Sequence, residues 1–561
     1  MKNMKNILNM TLCAMLAASA LVSCGGSGGS SSETASTGGN SGSNSNSSST
    51  SDTVNSDVID EITLPISENG ASFNIWTVWS NNYIESLNDN EAVQLMEEKT
   101  GVHIEYTCVP SDAATEKFGL LLVSDSLPDA IYLGEDALSY PGGGDKAIDD
   151  GTFIDLKDYV ETYMPNYRAY RNSDELVSKM TLTDQGRMYY IPMLRSDSDA
   201  NLSPEPAWVG LTIRQDWLDD LGLEAPETIA EWETVLTAFK EEKGAEAPLM
   251  IGPTGTIFTE AFTSAYGVTS TFFLKEDGTV GYGPMEEGYR EWIELYRDWY
   301  AKGLIDPNFI SNSANMVIPT EYGATGKTGA GSNIWGLTRH YYYEVGSSDD
   351  PDLDFVAIKA PTLNKGDTAQ YKYVSYAVSN KYVVTSACKD VPTLLKWMDY
   401  QYTREGMLIN AYGTEGKTYT MENDEPIYTD MMIHPSDDDG YLGVTSGDRL
   451  AVYARGDGVG LVPWDRWDQA YAQDKRSGIY VWHADGTDLA LPQITMTEAE
   501  GNEYNMLFAQ IQTLVQEKTV AYIMGTESMD TYDDFLSTLS SMNVERCIEI
   551  KQAALDRYNA R

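Results

Sequence analysis

Cysteine, histidine and positive charge are all scarce in this chain of 561 residues, and each shortage removes a class of function. The five cysteines are widely spaced, with no CxxC pair, so the protein is not a disulfide scaffold. Cys108, Cys388 and Cys547 each stand in apolar surroundings and read as buried free thiols, with one bridge among the three left open. The four histidines, His103, His340, His434 and His483, fall in no HExxH or other paired spacing, which argues against a zinc site. Lysine and arginine number 38 against 85 aspartates and glutamates, a formal charge of −47. That balance opposes binding to nucleic acid phosphates and to an anionic membrane surface. Gly326-Lys327-Thr328 and Gly416-Lys417-Thr418 look like the end of a phosphate loop. However, Glu321 and Ala411 stand where its first glycine belongs, so both read as glycine-rich turns. No metal and no cofactor are expected, and no internal repeat is evident.

Long apolar runs are missing as well. The run from Ile7 to Leu21 follows Lys2 and Lys5 and leads into Leu21-Val22-Ser23-Cys24. A basic start, a short apolar run and small residues at the cut describe an export signal over 1–23, too short to span a bilayer as a mature helix. A cysteine directly after Leu-Val-Ser resembles the lipobox of bacterial lipoproteins. That likeness implies cleavage before Cys24 and acylation of its sulfur and amine. Loss of Lys2 and Lys5 with the signal takes the charge to −49. From Gly25 to about Asp57 the chain is almost wholly Gly, Ser, Asn and Thr, with no aromatic residue. Such a segment cannot bury enough apolar surface to order itself, so 24–57 reads as a lipidated cysteine on a flexible tether with a reach of roughly 30 Å. The expected location is the extracellular face of the bacterial cell membrane, or its periplasmic side where an outer membrane exists.

Beyond the tether roughly 500 residues remain, more than one core usually holds, so at least two lobes are expected. Ser72–Val78 reads as a buried strand. A helix to about Lys99 stops at Gly101, Val102–Val109 alternates as a second strand, and Asp129–Leu133 follows a further helix as a third. This β-α-β-α-β order implies a parallel sheet covered by helices, with ligands beyond the strand C-termini. Trp79–Asn82 and Gly134–Asp136 are the loops at that position. Gly186–Pro192 reads as a short strand turning into a loop, and the polar, proline-containing stretch that follows marks a boundary. Thr228 with Glu231 and Thr497 with Glu500 spell capping boxes. Tyr289, Trp292, Ile293, Tyr296, Trp299 and Tyr300 recur at helical spacing and read as a buried face rather than a sugar platform. Residues 431–493 read as irregular, and two long helices close the chain, the second broken near Asn543.

Asp197, Asp199 and Asn201 have the odd-position spacing of a calcium loop, but Leu202 and Trp208 replace its glycine and closing glutamate. The 85 acids leave open a carboxylate pair for glycoside hydrolysis. What stands out is a surplus of aromatic residues in loops: Trp79, Trp208, Trp335, Trp464, Trp467 and Trp482, with Tyr341–Tyr343. An exposed indole stacks on the C–H faces of a sugar ring while nearby polar groups bond the hydroxyls. Core packing is the commoner role for any one tryptophan. Trp79 and Trp335 stand apart because each sits among Gly, Ser and Asn.

The chain after the tether resembles the family 1 extracellular solute-binding lipoproteins of carbohydrate-uptake ABC transporters. The stretches that carry the likeness are LMEEKTGVHI (95–104), LPDAIY (127–132), GTFIDL (151–156), LTIRQDWLDDLGLEAP (211–226), GLIDP (303–307) and GTEGKTY (413–419). The resemblance implies an α/β, two-lobed periplasmic-binding-protein-like fold with a hinge between the lobes. Lobe one would be 70–190 plus 374–430, and lobe two 207–370 plus 431–561, with crossings at 191–206 and 371–373. By likeness to the maltose-binding type, Gly134, Glu135 and Asp136 would touch sugar, Trp335 would be the aromatic after a glycine-rich turn, and Phe258 a further stacking residue. Where that type has a tryptophan after its LPDAIY-like strand, this chain has Leu133-Gly134, which removes a stacking residue there.

The expected function is therefore capture of a sugar or oligosaccharide in an interlobe cleft, by hinge closure, for delivery to the permease subunits of an ABC importer. The protein would be a non-enzymatic monomer. Trp79, Trp335 and Trp208 would stack, and Asn81, Glu135, Asp136, Arg195 and Arg339 would bond hydroxyls or a charged substituent. Residues 431–493 would reshape the cleft for longer ligands. The competing readings are a secreted carbohydrate-active hydrolase or lyase, and a lipoprotein that binds peptides or amphiphiles or serves a sensor.

Overall fold

A computed structural model describes residues 58–81, 83–124, 126–134, 138–202, 209–250, 260–312, 322–323, 325–334, 350, 352–369, 378–433, 446–455, 458–464, 466, 469, 478–482 and 489–561. In chain order the strands are β1 (Ala71–Val78), β2 (Val102–Val109), β3 (Ala130–Tyr132), β4 (Ile191–Ser196), β5 (Val209–Arg214), β6 (Leu249–Met250), β7 (Phe272–Leu274), β8 (Val280–Tyr282), β9 (Ala330–Ile334), β10 (Phe355–Ile358), β11 (Val378–Val384), β12 (Tyr419–Glu422), β13 (Glu425–Tyr428) and β14 (Gly460–Pro463). No helix among the described residues is long and apolar enough to cross a membrane.

Two principal sheets form, with the orders β14-β4-β11-β3-β1-β2 and β10-β5-β9-β6. In the first, β1 pairs in parallel with β2 and β3, as the alternating pattern requires. Phe73, Ile75, Val102, Ile104, Ala130 and Ile131 are buried in its core. The connecting helix Glu91–Thr100 is capped by the Asn90 side chain and ends at Gly101 in the left-handed conformation. A second core lies around the other sheet, against the helices Ile229–Glu241, Glu287–Lys302, Glu498–Ile523, Tyr532–Ser541 and Val544–Asn559. Both capping boxes are present, at Thr228 with Glu231 and at Thr497 with Glu500. Tyr289, Trp292, Ile293, Tyr296 and Trp299 are all buried in this core. The final helices break at Asn543, whose φ is 64°. The fold is the two-lobed α/β arrangement expected from the sequence.

Two expected boundaries need correction. Residues 191–196 belong to the first sheet as β4 rather than to a crossing, because Ile191, Met193 and Leu194 are fully buried in it. Pro192 has no N–H to give, and the ladder opposite it carries a bulge between Ser379 and Lys381, with Asn380 at φ 41°. Its carbonyl accepts the Tyr402 hydroxyl. Residues 431–561 do not all join the second lobe. β14 pairs in parallel with β4 of the first sheet, and Val459, Leu461 and Val462 are fully buried. The expected crossing at 371–373 lies outside the described residues.

A third, smaller core joins Tyr412, the β12–β13 hairpin and the helix Ser446–Tyr453. It docks on the first lobe. Asn90 Nδ2 donates to the carbonyls of Ala451 (2.9 Å) and Ala454 (3.0 Å), and Arg455 donates to the Tyr106 and Tyr382 hydroxyls at 2.6 and 3.0 Å. The three cysteines are free, Cys388 and Cys547 buried and Cys108 half-buried. Burial pushes the Cys388 thiol up to about 12 and the Cys547 thiol up to about 11.

Two polar clusters, the first buried and the second half-buried, yield tests. Asp399, fully buried, accepts from Asn166 N (3.1 Å), Asn166 Nδ2 (2.7 Å) and Tyr167 N (2.8 Å) at the start of the helix Pro165–Ser173. Burial nonetheless pushes its carboxyl up to about 6. The folded state then binds the proton more tightly than the unfolded chain. This group's contribution is greatest below the ordinary carboxylate range and is lost as pH rises through about 6. In denaturant unfolding from pH 4 to 8, the advantage of the native protein over Asp399→Asn should shrink up to about pH 6 and stay constant above it. The second cluster joins the two lobes at the chain's end. Asp184 accepts from Arg557 Nε (2.9 Å), Arg561 Nε (2.9 Å) and Arg561 Nη2 (2.6 Å), and Arg557 also pairs with Glu500 at 2.6 Å. The Arg561 side chain is 4% exposed. Asp184→Ala leaves that guanidinium buried without its carboxylate and should cost about 3 kcal/mol in denaturant unfolding.

Candidate functional site

Strand direction decides where a site can form. β1, β2 and β3 are parallel, β11 is antiparallel to β3 and β4, and β14 is parallel to β4. The C-termini of β1–β4 and β14 therefore share one edge with the start of β11. Ligands on open α/β sheets sit beyond that edge. The same edge emits the chain toward the second lobe, because β4 leads to β5, β10 leads to β11, and β14 leads to the C-terminal helices.

Trp79 and Asn81 follow β1 on this edge, both half-buried. Trp79 N–H donates to the Val109 carbonyl at 2.8 Å, continuing the β1–β2 ladder by one residue. Asn81 Oδ1 accepts from Tyr83 N (2.7 Å) and Ile84 N (3.3 Å), so its side chain builds the turn. Arg195 lies half-buried near the end of β4, opposite Val462 of β14. Of the other residues singled out from the sequence, Glu135, Asp136, Trp208, Phe258, Trp335 and Arg339 lie outside the described residues, as does Cys24.

Two residues of this edge were not among those candidates. Trp464 follows β14 directly, and its N–H donates to the Ser196 carbonyl at 2.9 Å. It packs against the second core although it leaves the first sheet. Its indole N–H is buried without a partner among the described residues. Tyr83 is the other, exposed on the loop after β1. Trp464 is visible in the sequence as a loop aromatic, but its strand is not. Trp482, read alongside it, belongs to the second core: its ring lies against Gly210 and Gly478, and Nε1 donates to the Leu211 carbonyl at 2.8 Å.

The stretch with calcium-loop spacing is closed by its own groups. Asp197 accepts from Asn201 N (2.8 Å) and Asn201 Nδ2 (3.0 Å), and Ser198 donates to Glu425 at 2.9 Å. Among the described residues no group of His, Cys, Asp and Glu side chains is placed to hold a metal.

The profile of the bacterial extracellular solute-binding proteins matches residues 84–408. The chain is 24% identical over 528 residues to the fructooligosaccharide ABC transporter substrate-binding protein FusA of Streptococcus pneumoniae, a match covering 90% of this chain and 93% of that one. It is 22% identical over 355 residues to the lipoprotein LipO of Bacillus subtilis, covering 60% of this chain and 66% of LipO. Among solved structures, an HMO-binding, ABC-transporter-associated solute-binding protein of Bifidobacterium longum infantis superimposes with a TM-score of 0.68 at 18% identity, covering 88% of this chain and 99% of that one. With a two-lobed fold, a candidate site at the strand C-termini and a family profile over more than half its length, the chain belongs to the bacterial extracellular solute-binding proteins.

Proposed function

We propose that this protein captures an oligosaccharide between its lobes and hands it, chemically unchanged, to the permease of an ABC importer. The observation that carries the reading is the convergence at one sheet edge of half-buried aromatic and polar groups, Trp79, Asn81, Arg195 and Trp464, with the chain's passage into the second lobe. β4 stands three strands from β1, roughly 14 Å along the edge. A row of that length suits several sugar rings better than one. The likeness to FusA, a fructooligosaccharide-binding protein matched over nearly its whole length, points to the same ligand class.

In this reading Trp79 and Trp464 present rings to the C–H faces of the sugar, while Asn81 and Arg195 bond hydroxyls. The likeness read from the sequence adds Glu135, Asp136, Trp208, Phe258, Trp335 and Arg339 as further candidate ligand contacts. One lobe takes the described residues of 58–202 and 378–463, and the other those of 209–369 and 478–561. Closure follows because only the closed state satisfies contacts to both lobes, so ligand shifts the population toward it. Cys24 carries the lipid, and the Gly/Ser tether holds the body near the outer face of the membrane. The kinship with a protein named as a lipoprotein supports that anchor.

The test is thermal unfolding of the purified protein against mono- and oligosaccharides, with peptides as controls. A ligand at 100 times its dissociation constant adds about 2.7 kcal/mol to the native state. The expected result is a raised midpoint with one sugar class, the sugar being recovered intact. A cleaved sugar would make the protein an enzyme, and a shift with peptides alone would end the carbohydrate reading. Trp79→Ala should weaken the bound sugar by roughly three- to tenfold, read by calorimetry.

A further inference from the structure

Among the residues whose burial the structure describes, Tyr83 is the only tryptophan, tyrosine or phenylalanine that is exposed, at 47%. Scattered surface aromatics need no special explanation; here every other ring of described burial is buried or half-buried. The place of the exception is informative. It lies on the loop leaving β1, four residues beyond Trp79, at the sheet edge where ligands of this architecture sit.

The loop that carries it is held from both sides. Before Tyr83, Trp79 is tied to Val109, and the Asn81 carboxamide accepts the Tyr83 and Ile84 backbone N–H groups. After it, Ile84 packs against the third core, and Ser86 caps the short turn Leu87–Asp89 by accepting from Asn88 N. The third core is itself fastened to the next helix through Asn90. The described residues on either side of the ring are thus anchored, while about half of the Tyr83 side chain stays in water. An anchored loop presenting a half-exposed aromatic face is pre-organised for a ligand with its own apolar face.

We propose that Tyr83 is the platform of an outer subsite, stacking on a sugar ring beyond those held at Trp79 and Trp464, and that it makes the protein prefer oligosaccharides of three or more units. This rests on the carbohydrate reading above. It also assigns a role to the third core, which braces the Tyr83 loop instead of contacting ligand itself.

The experiment is isothermal titration of the full chain, of Tyr83→Ala and of Tyr83→Phe with ladders of two to six units of fructo-, xylo-, malto- and cello-oligosaccharides. Thermal unfolding without sugar confirms that each variant is folded, as an exposed side chain leads one to expect. In the native protein, affinity should rise with chain length by roughly three- to tenfold beyond the disaccharide. Tyr83→Ala should abolish that rise and Tyr83→Phe should retain it. An equal rise in all three proteins would overturn the subsite while leaving the carbohydrate reading intact. Loss of the rise in Tyr83→Phe as well would replace stacking with a hydroxyl bond and overturn the platform. No binding of any ladder by the native protein would remove both the reading and the inference.

Discussion

The alignment of β14, β4 and β11 side by side in the first sheet is the constraint on which the rest depends. Each is joined to the second lobe, and all three exchange chain with it at the same edge. Had β14 run antiparallel to β4, its connection would leave from the opposite edge, and the two lobes would be tied across both ends of the sheet. Sharing one edge gathers the passages between the lobes at one place, and the lobes meet again where Arg557 and Arg561 gather on Asp184. The parallel ladder of β14 on β4 and the bulge at Asn380, which accommodates Pro192 in the β4–β11 pair, are the local features that make the alignment possible.

That edge is also where the parallel strands end, so the passages between the lobes and the candidate site share one origin. Loops after β1, β4 and β14 carry candidate ligand groups and lie next to the chain's passage between lobes. A ligand touching these loops and the second lobe would act directly on the joint, with no long route of coupling needed. The turn over residues 197–201, which begins the first passage, is braced on the β12–β13 hairpin through Ser198 and Glu425. The third core thereby touches both the start of a crossing and the Tyr83 loop.

The strong negative charge does not reach these joints as a disorder of like charges. The few cations are placed where they hold segments together. Arg214 pairs with Asp216 and Asp350, Arg187 with Asp145 and Asp149, and Arg557 and Arg561 gather on Asp184. Most of the remaining acids face water, where they favour solubility and contribute little to stability.

Features that depend on neighbours in the chain were legible in the sequence. The capping boxes at Thr228 and Thr497, the stop at Gly101, the break at Asn543, the limits of β2 and the inward face of Tyr289–Trp299 follow from local backbone geometry and periodicity, which a few residues specify. The free thiols and the two-lobed α/β plan followed from composition, length and the order of elements. Other features needed the tertiary structure. Pro192 reads locally as the end of a strand, and only the bulge in a partner almost 190 residues away lets β4 continue through it. The four residues of β14 carry too little pattern to mark a strand; a slot beside β4 makes them one. Trp482 and Trp464 look alike as loop aromatics, yet one fills the space over Gly210 and the other stands at the hinge edge. Tyr83 was one of 36 tyrosines until burial separated it from the rest. The sequence determined what each segment would be, because helix caps, periodicity and turns are short-range. The tertiary structure decided which segments meet and which rings stay in water, because burial depends on partners that the chain brings together only when it folds.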